Sequence, residues 1–96
     1  MIRHSLEVEL VNKFGVRTAA VYERFHDLCA EKAMRNADYH DGLFLVRMPH
    51  RDFSRVFPYM STGTVHKAIK RLVAAGLVVV GHYDESNGLV NWYATT

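Results

Sequence analysis

Basic residues are concentrated in the middle of this 96-residue chain. Residues 47–72 contain six basic side chains and one acidic side chain, a net charge of +5, whereas residues 1–46 carry −1 and residues 73–96 carry −2. The six are Arg47, Arg51, Arg55, Lys67, Lys70 and Arg71. A local excess of one sign is typical of a surface that binds phosphate groups. A solvated basic face without a ligand is the alternative interpretation.

Half of these basic residues fall in a segment that is well defined as a helix, residues 61–75. Its apolar positions share one face, Ser61 can cap its start and Gly76 can end it. A rotation of about 100° per residue places five residues on the opposite face, Gly63, Lys67, Lys70, Arg71 and Ala74. Lysine suits phosphates, and arginine suits guanine as well. The residues predicted to contact nucleic acid are Arg51, Arg55, Ser61, Thr62, Gly63, Thr64, His66, Lys67, Lys70 and Arg71.

The remaining elements must position that helix. Apolar spacing predicts earlier helices at 5–14, capped by Ser5, at 16–34 and at 49–57. Short apolar runs predict strands at 43–48, 77–83 and 89–95, and residues 36–42 are expected to form a polar connection. The last two strands form a β-hairpin, which is also the available partner for strand 43–48. The predicted class is α+β, a winged helix-turn-helix with four helices and a small three-stranded antiparallel sheet.

Residues suited to metal binding or catalysis occur in spacings that favour neither. His26 and Cys29 are three apart on a predicted helix, but Cys29 is the single cysteine and lies on the apolar stripe, so a buried thiol is preferred. Asp38, His40 and Asp41 are interpreted as a polar turn. No glycine-rich phosphate loop, nucleophile elbow or paired-carboxylate arrangement stands out. We expect no enzymatic activity, no bound metal and no cofactor.

The composition is that of one ordinary globular domain covering residues 1–96, with 49% hydrophobic and 23% charged residues. No apolar run approaches the roughly 18 residues that span a bilayer. Glu7 and Glu9 interrupt the stretch where a signal peptide would be apolar, and a lone cysteine fits a reducing compartment. We expect a cytoplasmic protein without membrane association.

Residues 57–94 also carry a pattern of aromatic, glycine and cap positions. An aromatic-Pro-aromatic segment at 57–59 precedes Ser61, Thr64 and Val65; Ile69, Leu72, Gly76-Leu77, Gly81, Tyr83 and Trp92-Tyr93 follow. This pattern resembles the winged-helix domain of phage replisome organisers and DnaD-type replication initiation proteins, and residues 14–28 resemble the second helix of that family. The resemblance implies a DNA-binding domain whose helix 61–75 enters the major groove.

Two functions remain open from the sequence. The first is binding of double-stranded DNA, in transcription regulation or in replication initiation of a phage or mobile element. The second is a winged-helix scaffold for protein–protein interaction or oligomerisation, with a replication or regulatory protein as partner. Three features motivate the second function. They are the acidic residues at the hairpin tip (84–88), the further domains of that family, which residues 1–96 do not include, and the aromatics Tyr22, Tyr39 and Tyr59. A homodimer through the N-terminal helices would suit either function.

Overall fold

Four α-helices and two small antiparallel sheets form the part of the chain that the structure describes. The computed structural model describes the backbone of residues 2–83 and 90–96 and the side chains of residues 8–83 and 90–96. The helices are α1 (Ile2–Phe14), α2 (Val16–Arg35), α3 (Phe53–Val56) and α4 (Thr62–Ala74). The strands are β1 (Tyr39–His40), β2 (Leu43–Phe44), β3 (Val46–Met48), β4 (Val78–Gly81) and β5 (Asn91–Thr95). The predicted α+β class is confirmed, and the predicted acidic tip at 84–88 lies outside the described residues.

Helices α2 and α4 are bounded by residues suited to those positions. Before α4, the Ser61 Oγ accepts a hydrogen bond from the Thr64 backbone N–H at 3.2 Å, as the sequence predicts. α2 follows Gly15, whose φ is 88°, and it ends at Asn36, whose φ of 50° is left-handed. Asparagine tolerates that conformation better than most residues do. Among residues 2–83 and 90–96, no helix combines the length and apolar character needed to cross a bilayer.

The other two helices differ from their predicted bounds. α1 begins at Ile2 instead of Ser5, because residues 2–4 contain no glycine or proline that would stop the helix from extending. The predicted helix 49–57 is a 3-10 turn at His50–Asp52 followed by the single turn of α3. Pro58 disfavours the α conformation at the residue before it, and Phe57 accordingly has φ −122° and ψ 67°.

β5 is the central strand of the three-stranded sheet, whose order is β3-β5-β4. Both neighbours are antiparallel, and Tyr93 lies opposite Val46 on one side and Val80 on the other. The predicted three-stranded antiparallel sheet is therefore confirmed. Strand β3 pairs with β5, so it joins the two C-terminal strands as the sequence predicts.

The predicted strand 43–48 is divided at Leu45, and only its second half joins this sheet. Its first half, β2, pairs with β1 across a two-residue turn of Asp41 and Gly42. Both turn residues have positive φ, 53° and 83°, as a type I′ hairpin turn requires. The polar connection expected at 36–42 therefore contains strand β1 and this turn, because an Asp-Gly pair between two short extended segments favours a tight hairpin.

The two faces of β5 are covered by different parts of the chain. Tyr93 packs toward the helices, with ring centroids 5.1 Å from Phe25 and 6.2 Å from Phe53. Trp92 points the other way, 5.5 Å from His40 and 6.1 Å from Tyr83. The Tyr83 hydroxyl donates a hydrogen bond to the Asp41 carboxylate at 2.7 Å, which raises the pKa of Tyr83. The β1–β2 hairpin is thereby held over Trp92.

Two glycines at opposite ends of α4 should respond in opposite directions to alanine. Gly76 has φ 77°, so Gly76→Ala should lower the free energy of unfolding by about 1–2 kcal/mol through left-handed strain. Gly63 lies in the first helical turn, where an added Cβ meets nothing within 4 Å. Gly63→Ala should therefore raise that free energy by about 0.5–1 kcal/mol. Urea unfolding followed by circular dichroism measures both, and equal signs would contradict this account of α4.

Candidate nucleic-acid interface

α4 presents a basic face to solvent because its apolar residues are committed to the core. Val65, Ala68, Ile69 and Leu72 are buried, whereas Gly63, Lys67 and Lys70 are exposed on the opposite side. Neither Lys67 nor Lys70 has a hydrogen bond or ion pair within the described part of the chain. Two ammonium groups one turn apart are therefore available for phosphates.

At the start of α4, the capping hydroxyls are already engaged with each other. The Ser61 Oγ lies 2.9 Å from the Thr64 Oγ1 as well as accepting the Thr64 backbone N–H. Thr62 is partly buried and Gly63 is exposed. The first turn therefore offers a small, open backbone surface at Gly63, while Ser61 and Thr64 fix the helix end.

His66 covers the core next to the basic face. Its ring centroid lies 4.8 Å from that of Phe53 and 5.7 Å from that of His50, which is nearly parallel to it. His66 is partly buried, and these two ring contacts join α4 to the segment that leads into α3. The sequence places His66 beside the helix start but gives no sign of His50, because that contact depends on how the two segments pack.

Arg71 connects α4 to the junction of α1 and α2. One guanidinium nitrogen donates hydrogen bonds to the Phe14 carbonyl at 2.9 Å and to the Thr18 hydroxyl at 3.4 Å. The guanidinium carbon also lies 5.5 Å from the centre of the Phe14 ring. Because Thr18 is buried, this contact satisfies a polar group that water does not reach freely. Arg71 therefore has a structural role that its helical position alone does not indicate.

The other two predicted arginines lie on the segment before α4. The exposed Arg55 in α3 forms an ion pair with the partly buried Asp52, with 3.4 Å between the guanidinium nitrogen and the carboxylate oxygen. Such pairs stabilise proteins little, so Arg55 can exchange Asp52 for another anion at small cost. Arg51 is exposed on the preceding 3-10 turn. Both therefore remain accessible cations on a different element from the α4 lysines.

The fold brings a further cation near α4, which no pattern in the sequence indicates. Arg17, in the first turn of α2, lines a cleft of about 450 Å³ together with Lys67 and Arg71. Residues 1–46 have a net charge of −1, so charge distribution along the chain gives no signal for Arg17. Only the packing of α2 against α4 places it there.

The His26 and Cys29 pair is engaged in packing. The Cys29 thiol is buried 3.9 Å from the Tyr93 carbonyl oxygen, and the His26 Nδ1 lies 3.4 Å from the Thr95 hydroxyl. Among the described side chains, no group of three or more His, Cys, Asp or Glu residues is arranged to hold a metal ion. Burial raises the pKa of Cys29, and it also raises the pKa values of Tyr22 and Tyr93.

Replacing Arg71 should destabilise the fold, unlike replacing its exposed neighbour Lys70. Arg71→Ala removes both hydrogen bonds and the contact with the Phe14 ring, so we expect a loss of about 1 kcal/mol. That loss corresponds to a melting temperature lower by roughly 4–8 °C. Lys70→Ala should change stability by less than about 0.5 kcal/mol. Equal melting temperatures for the two variants would show that Arg71 does not hold α4 against the α1–α2 junction.

Alkaline pH should weaken the fold, beginning with Cys29. Its pKa is raised above the ordinary value of 9.0, so the stabilisation is complete below pH 9 and is lost as pH rises through the folded-state pKa. Tyr22 and Tyr93 extend this loss above their ordinary value of 10.0. Urea unfolding at pH 7, 9 and 10 should show the decline, and Cys29→Ala should flatten its first part. An unchanged profile in Cys29→Ala would contradict the assignment.

Comparison with protein-family models, curated proteins and solved structures found no match to this chain. The basic face of α4 is therefore interpreted from its own geometry and charge.

Proposed function

We propose that this chain is a double-stranded DNA-binding module of the winged helix-turn-helix type, with α4 lying in the major groove. The observation that carries the proposal is the pair of exposed lysines, Lys67 and Lys70, neither of which has a partner in the described part of the chain. They lie opposite a fully packed face, so their direction is fixed by the core. A fixed basic helix face is suited to a surface lined by phosphates.

The arrangement of elements around α4 supports this proposal. α3 and α4 follow one another across a short turn, and the antiparallel β3-β5-β4 sheet completes the unit. A helix of 13 residues is about 20 Å long, and the major groove of B-DNA is about 12 Å wide, enough to admit a helix. A helix of suitable size, its basic face and the antiparallel β4–β5 pair are the features expected of a winged helix.

We assign different roles to the predicted contact residues. Lys67 and Lys70 neutralise phosphates, while Thr62 and Gly63 lie at the helix start, where base edges are usually reached. Ser61 and Thr64 keep that end of the helix capped. Arg51 and Arg55 add phosphate contacts from the segment that precedes α4. Arg71 and His66 act mainly by orienting the helix.

The biological context of the proposal comes from the resemblance of residues 57–94 to phage replisome organisers and DnaD-type proteins. It favours replication initiation or transcription regulation in a phage or mobile element. The shared pattern consists mainly of core and turn positions, so it supports the scaffold more than it defines a target sequence.

Duplex binding by the lysine variants tests the proposed function. Fluorescence anisotropy of a labelled random-sequence duplex, between about 50 and 200 mM salt, should give a log–log salt slope steeper than about −3. Lys67→Ala and Lys70→Ala should each reduce the magnitude of that slope by about 0.9 and weaken binding roughly 3- to 10-fold. Their melting temperatures should stay close to that of the wild type. Arg71 is left intact in these variants because its replacement should loosen the helix.

Arg35→Ala is the matched control, since it removes an exposed positive charge from the far end of α2. It should bind the duplex as the wild type does. Absence of wild-type binding at low salt would overturn the DNA-binding proposal and favour the protein-interaction alternative. Tyr59, 95% exposed beside a cleft of about 380 Å³, would then be the first residue to replace in a search for a partner.

A further inference from the structure

The cleft between α2 and α4 gathers positive charge from two helices. α2 contributes Arg17 and Thr18, and α4 contributes Thr64, Lys67 and Arg71, around a volume of about 450 Å³. None of the described residues that line it is acidic. Three cations facing one space without a carboxylate repel one another, and a bound anion would relieve that repulsion.

The three cations of the cleft are not equivalent. Arg71 is held against the wall by its bonds to the Phe14 carbonyl and the Thr18 hydroxyl, both from one guanidinium nitrogen. A guanidinium has further N–H donors, so Arg71 still contributes charge and bonding capacity. Arg17 is exposed, and it has no hydrogen bond or ion pair within residues 8–83 and 90–96. Arg17 and Lys67 are therefore the two side chains free to close on a ligand.

The position of the cleft indicates which anion it would meet. Lys67 borders the cleft and also belongs to the exposed face of α4. A helix seated in a major groove has a sugar-phosphate backbone along each flank, and most protein–DNA hydrogen bonds go to those backbones. The cleft follows one such flank of α4. A phosphate entering it would lie between side chains of α2 and α4.

We infer that this cleft receives a phosphodiester of the DNA backbone, contacted by Arg17 and Lys67 against the fixed guanidinium of Arg71. The inference rests on the proposed function and extends the binding surface onto α2. It adds Arg17 to the contact residues and makes the first turn of α2 part of the DNA-binding surface.

Arg17→Ala and Arg17→Lys, compared with Arg35→Ala, test the inference in the same salt titration. Arg17 and Arg35 are 18 residues apart, which places them about 27 Å apart along one face of α2. Arg17→Ala should weaken duplex binding roughly 3- to 10-fold and reduce the magnitude of the salt slope by about 0.9. Arg17→Lys should retain the slope, and Arg35→Ala should leave both affinity and slope unchanged. Unchanged melting temperatures would show that the folded domain is being compared.

The outcomes separate this inference from the proposed function. Wild-type protein that does not bind the duplex overturns both. Wild-type binding that Lys67→Ala and Lys70→Ala weaken, together with an Arg17→Ala slope equal to that of the wild type, overturns the inference alone. A titration with inorganic phosphate distinguishes the source of the anion. Phosphate binding that Arg17→Ala abolishes, with the duplex slope unchanged, would mean that the cleft serves a free anion and would overturn the inference.

Discussion

Tyr93 lies where the three-stranded sheet meets the helices, and its position depends on the register of β5. Because β5 pairs with both β3 and β4, a slip of one residue would turn Tyr93 away from Phe25 and Phe53 and bring Trp92 or Ala94 into its place. Phe53 in turn contacts His66 of α4. The direction of the basic helix therefore depends on a strand that carries no charge.

Polar residues complete this positioning at the opposite side of α4. Arg71 joins the helix to Phe14 and Thr18, so part of the positive charge counted along the chain serves as an anchor. Arg55 likewise has an ion-pair partner in Asp52, although the arginine side chain is exposed. The charge without an internal partner is consequently smaller than the local net of +5 suggests. It lies on Lys67 and Lys70 of α4 and on Arg51 of the preceding turn, with Arg17 added by packing.

The sequence predicts the elements whose determinants are local. α4 follows from its apolar spacing and the Ser61 cap, and the sheet follows from three apolar runs with few possible partners. The β1–β2 hairpin does not follow from the apolar pattern, because the uninterrupted apolar run 43–48 favours one strand, although Asp41 and Gly42 signal a turn. Arg71 and Phe14 are 57 positions apart in sequence, so their hydrogen bond could not be predicted from local pattern. The same holds for the convergence of Arg17 and Lys67, which requires the packing of α2 against α4.

Trp92 is the single tryptophan of the chain, so its fluorescence reports the environment of one region of the structure. The indole lies on the face of β5 that His40 and Tyr83 cover, away from the aromatic cluster around Phe25. Detachment of the β1–β2 hairpin would expose the indole to water and shift its fluorescence to longer wavelength, while the helical circular dichroism persisted. Intrinsic fluorescence thus reports the docking of the small hairpin, and the protein carries its own optical probe of partial opening.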